Sequence, residues 1–110
     1  MSRIHSFRNY EVLGNNAYPA RVSVGVTSVA LVVPAGANAC TIRIIANNST
    51  TAGSPAVNYQ LNAVAPTSST GIPLFNGDVL VLFLSEPKNL RMISADGNTQ
   101  TVCVEFATVS

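Results

Sequence analysis

The sequence predicts an all-β fold: an antiparallel β-sandwich or jelly-roll-like barrel over residues 21–110, preceded by an extended N-terminal arm over residues 1–20. Three observations carry this reading. Apolar and polar residues alternate at period two in several short runs, as half-buried strands require. These runs recur at roughly 8–12-residue intervals with Gly, Pro, Asn and Asp between them, the rhythm of a sandwich or small barrel. No segment keeps a helical period over about ten positions.

Residues 1–20 mix polar and aromatic side chains without a period, and Gly14-Asn15-Asn16 and Pro19 interrupt any regular element. From Arg21 the pattern becomes β. Residues 21–26 alternate cleanly. Residues 28–33 form a β-branched apolar stretch ended by Pro34-Ala35-Gly36. Residues 40–46 make the next strand, stopped by an Asn/Ser/Thr/Gly run. Residues 57–63 alternate again, and 66–71 read as a loop. Residues 71–75 are a short extended piece in which Pro73 argues for an edge or a strand end, because proline cannot donate to a ladder. Asn76-Gly77-Asp78 is a tight turn, with glycine supplying the positive φ that hairpin turns need. Residues 79–84 are apolar throughout. Residues 90–95 lead into a second turn at Asp96-Gly97-Asn98, and 101–107 close the domain. Asp78 and Asp96, each beside a turn glycine, are expected to accept backbone hydrogen bonds.

Two strands say more than their existence. In 101–107, Val102, Val104 and Phe106 share one face, and Thr101, Cys103 and Glu105 the other. In 40–46, Cys40 lies with Ile42, Ile44 and Ala46 on the more apolar face. Cys40 therefore points into the core and Cys103 away from it, which predicts free thiols. Residues 79–84 are apolar on both faces, whereas a two-layer sandwich buries one. The second face needs cover from the N-terminal arm or from a neighbouring subunit.

Composition points the same way. Of 110 residues 47% are hydrophobic and only 10% charged, with a formal net charge of +1. Disorder, which needs low hydrophobicity and high net charge, is excluded. The near-neutral balance gives no basic track for nucleic acid, and no run reaches the ~18 apolar residues of a spanning helix. No apolar stretch follows the N-terminal charges as a secretory signal would, so synthesis and use from the cytoplasm are expected. With so few charges, Asn, Ser and Thr must supply the polar surface. A surface with little mutual repulsion favours association, and a homo-oligomer is expected.

No catalytic, cofactor or metal site is predicted. His5 is the sole histidine and sits in the arm without a nucleophile signature. The five acids are scattered, and two cysteines with one histidine do not complete a zinc site. The sequon-like Asn47-Asn48-Ser49-Thr50 reads as a polar loop. The interface candidates are Arg3, His5, Phe7, Arg8 and Tyr10 in the arm, where Arg and aromatic side chains suit protein docking, and Val79, Val81 and Phe83 in the apolar strand.

Across residues 22–106 the chain resembles a family. A Val-Ser-Val-Gly-Val strand is followed by the Pro34-Ala35 turn and a Thr-Ile-Arg-Ile strand. Then come Thr67-Ser68-Ser69-Thr70-Gly71-Ile72-Pro73-Leu74, Asn76-Gly77-Asp78, an Ile-Ser-Ala-Asp-Gly turn and a Val-Cys-Val-Glu strand. This is similar to small β-sandwich structural proteins of tailed bacteriophages, of the capsid decoration or cement type. The chain departs from them at Gly36-Ala37-Asn38-Ala39, where such proteins carry basic residues. The resemblance implies a virion protein on the capsid surface, assembled in the host cytoplasm. It would bind the major capsid protein as a homotrimer and have no enzymatic activity. The rival expectation is a lectin-like or receptor-binding head or tail module.

Overall fold

The computed structural model describes residues 11–12 and 21–108. Among them, nine strands and one short helix follow in the order β1 (Glu11–Val12), β2 (Arg21–Val24), β3 (Val29–Ala30), β4 (Ala39–Ile45), β5 (Val57–Gln60), β6 (Ile72–Leu74), β7 (Val79–Phe83), α1 (Glu86–Asn89), β8 (Arg91–Ser94) and β9 (Gln100–Thr108). Every strand pair is antiparallel. One sheet runs β2-β9-β4-β7, with β1 beside the far end of β9; the other runs β3-β8-β5-β6. The pairs β5–β6, β4–β7, β3–β8 and β2–β9 are nested, each enclosing the one before it in the chain. β4–β9 and β5–β8 then join the nest into two sheets. A long hairpin folded over on itself in this way gives the strand order of a jelly roll. The β-sandwich expected from the sequence is the fold.

Alternation decides what each strand buries. On β4, Cys40, Ile42 and Ile44 are buried while Arg43 is exposed. On β9, Gln100, Val102, Val104 and Phe106 point inward together. Val24, Ile42, Ile44, Leu82 and Val102 of the first sheet pack into one cluster with Val57, Tyr59, Leu74 and Met92 of the second and Leu90 at its end. Full burial of such side chains contributes about 1.5–3 kcal/mol each, which fixes the register of every strand that carries one.

The turns form as their residues dictate. Asp78 Oδ2 accepts the Phe75 N–H at 2.8 Å, and Gly77 sits at φ 86°. Asp96 Oδ1 accepts the Asn98 N–H at 2.9 Å. Gly71 at φ 102° brings its Cα so close to the Tyr59 carbonyl and Pro66 that an added Cβ would lie 3.0 and 2.9 Å from them. The 66–71 loop is thereby laid over β5, where buried Asn58 donates its amide to the Thr67 carbonyl at 3.0 Å.

Three details correct the sequence reading. The arm is not wholly irregular: Glu11 and Val12 pair with Thr108 and Ala107, extending the first sheet. Two expected strands are shorter. Residues 28–33 keep only β3, and 57–63 end at Gln60. Beyond Gln60, the Asn62 side chain accepts the Val64 N–H and Ala63 turns to φ 63°. Helix α1 also lies where no helical period exists, since four residues cannot show one. Its signal is local: Glu86 and Pro87 in the first turn, a start proline tolerates because the first N–H groups lack partners anyway.

Candidate docking surface

β7 is the outer strand of its sheet, and its two faces have opposite fates. Leu82 faces the core at 1% exposure, whereas Val79 and Val81 are 49% and 47% exposed on the outer face; Phe83, on the same side, is half-buried. The second apolar face expected from the sequence is thus present, with Val79 and Val81 about half-exposed on it. Leu84, immediately after the strand, is also exposed, and it holds φ 61°. That left-handed conformation costs a leucine about 1–3 kcal/mol. Two hydrogen bonds pin it there: the Leu84 N–H donates to the Asn38 carbonyl at 2.7 Å, and Glu86 Oε1 accepts the Phe83 N–H at 2.9 Å.

The register lays the rest of the outer face out in rows. Val79 lies beside Arg43, which lies beside Cys103, which lies beside Arg21. Val81 lies beside Thr41 and then Glu105. Ile45 lies beside Thr101 and then Ser23. Arg21 and Arg43 are therefore about 10 Å apart across two strand spacings. Glu105, two residues along β9 from Cys103, sits diagonally between them, within reach of long side chains. The face is an apolar stripe along β7 grading into Arg21, Arg43 and Glu105, all exposed. An apolar centre with an arginine-rich polar margin is the make-up of protein-binding surfaces.

The thiols sit as alternation requires. Both cysteines are free. Burial, with the Glu86 carboxylate adding to it, pushes the Cys40 thiol up to about 12, so it stays protonated and inert at neutral pH. Cys103 is half-buried on the outer face.

A second feature is a cleft of about 400 Å³ between the 46–54 loop and the turn after β6, lined by Asn47, Asn48, Thr50, Thr51, Phe75 and Asn76 among others. Two of these residues, Asn47 and Thr50, are held by a buried side chain that the sequence reading passed over. Gln100 accepts the Asn47 N–H at 2.5 Å and donates to Thr50 Oγ1 at 2.8 Å and Asp96 Oδ1 at 2.9 Å. Its inward position was legible, because it continues the Val102–Val104–Phe106 stripe one step upstream. Asp96 is partly desolvated, which raises its pKa. Hydrogen bonds from Thr50, Asn98 and Ser94 outweigh this and hold the carboxyl at about 2, below its ordinary 3.8.

Of the predicted interface residues, Val79, Val81 and Phe83 come together on one stripe. Arg3, His5, Phe7, Arg8 and Tyr10 lie outside the described residues. Among the described residues, no three His, Cys, Asp or Glu side chains group as metal ligands, and no helix is long and apolar enough to cross a membrane. Comparison with protein-family models, with curated proteins and with solved structures found no match for the chain.

Proposed function

We propose that this chain is a structural protein of a virion. Within that class, we read it as a capsid decoration or cement protein that binds the outside of a phage head. The observation that carries the reading is the half-exposed apolar stripe of β7, set beside Arg21, Arg43 and Glu105 on a jelly-roll sandwich. Jelly rolls serve as viral capsid and lectin domains, and fold alone does not choose between them. A clamp, unlike a catalyst, needs what this face offers: apolar area whose burial against neighbouring subunits contributes about 25 cal/mol per Å². In this role the stripe seats on the major capsid protein, and the arm, with Phe7, Arg8 and Tyr10 as anchors, staples to a neighbour.

The test is sedimentation of particles from a lysate in which the protein is made alongside its phage. The expected result is co-sedimentation of the protein with DNA-filled heads, reduced by Val79→Lys and by removal of residues 1–20. Protein left wholly at the top of the gradient overturns the reading. If removing residues 1–20 leaves particle binding unchanged, the stapling role of the arm is wrong.

The cleft beside Phe75 favours a second reading, a lectin-like module. Its lining of uncharged amides and hydroxyls with one half-exposed aromatic ring suits a neutral saccharide. Clear hits on a glycan array, abolished by Phe75→Ala, would move the proposal there.

A further inference from the structure

A sheet edge presents a row of N–H and C=O groups that invites pairing with another chain, and monomeric proteins blunt it with short strands, prolines or charges. Among the described residues the two sheets have four outer edges, and three are blunted. β6 carries Pro73, β3 is two residues long, and the β1/β2 edge is split into two pieces and carries exposed Arg21. β7 has none of these devices: five residues, uncharged and free of proline.

The hydrogen bonds say which β7 groups face outward. Asp78 and Leu84 bond β4 and its flanks, through Ile44 N–H to the Asp78 carbonyl and Leu84 N–H to the Asn38 carbonyl. In an antiparallel ladder the bonded residues alternate. The even positions of β7 therefore face β4, and Val79 and Val81 aim their N–H and C=O groups at the open side. The Phe83 N–H, at the next odd position, agrees by turning to Glu86.

We propose that β7 pairs antiparallel with β7 of a second copy of this chain, about a two-fold axis at Leu80. Val79 of each copy then exchanges both backbone hydrogen bonds with Val81 of the other. The four valines form one continuous apolar strip on the outer face. The sequence is self-complementary in this register: Asp78 falls opposite Leu82, so no like charges meet. Glu86, holding the Phe83 N–H, ends the ladder at that point. A contact using the same patch on both partners closes at two copies. It departs from the three-fold arrangement that the phage resemblance implies, and it holds whether or not the virion reading does.

Light-scattering mass of the purified chain across a concentration series tests it, alongside Val81→Lys, with Val79→Lys as the second variant should the first fail to fold. The expected result is twice the 11.5 kDa chain mass for the parent, halved in a variant that melts at the parent's temperature. A parent that stays monomeric or forms trimers overturns the proposal, as does a folded variant that stays dimeric.

Discussion

β6 and β7 follow one another in the chain, joined by the Phe75–Asp78 turn, and each ends a sheet. They treat that position in opposite ways. β6 is three residues with proline at its centre, and the Ser/Thr loop before it folds back over its own sheet. β7 is longer and wholly apolar, with Val79 and Val81 about half-exposed on its outer face. Their hydrophobic content does not separate them, since Ile72 on β6 is exposed too. What differs is whether the backbone edge is closed. A closed edge tolerates exposed apolar residues in a monomer; an open one turns the same residues into a template.

The contrast can be sharpened by substitution. The largest effect separates the two faces of β7 itself. Leu82→Ala should cost about 3 kcal/mol in a urea melt, because it empties a filled core position. Val81→Ala, one residue away, should cost under about 0.5 kcal/mol when measured on the dilute monomer. Leu84→Gly should raise stability by about 1 kcal/mol by relieving the left-handed leucine; a loss would mean that Leu84 makes contacts its exposure does not suggest. Pro73→Val tests the contrast by erasing it. It should cost about 0.5 kcal/mol through the unfolded chain while adding a new N–H to the β6 edge, seen as larger species in light scattering.

The smallest effect belongs to Asp96, exposed and far from either edge. Its carboxyl is held at about 2, below its ordinary value. The stabilisation is therefore complete above pH about 4 and is lost as pH falls through about 2. Asp96→Asn should lower the urea midpoint modestly at neutral pH and flatten the acid end of the profile, so that parent and variant converge as pH falls through about 2.

Much of this was legible in the sequence. Period-two alternation placed Cys40 inside and Cys103 outside, and it put Val79, Val81 and Phe83 on one stripe. Asn-Gly-Asp and Asp-Gly-Asn located the turns, because positive φ and side-chain acceptors act locally. Other features depend on distant partners, which alternation does not reveal. Gln100 is buried because Thr50 and the Asn47 backbone satisfy it from some fifty residues away. β1 forms because the end of β9 offers it a partner. The openness of β7 required knowing which strands end the sheets, a property of topology rather than of any segment.

Hydrogen exchange at the Val79 and Val81 amides tests the central claim most directly, read at a concentration well below and one well above the onset of self-association. These N–H groups are predicted to exchange at near-unprotected rates in the dilute chain and to become protected on concentration, while the Leu80 and Leu82 amides stay protected throughout. Fast exchange of Val79 and Val81 at both concentrations, or protection already present in the dilute monomer, would contradict the account.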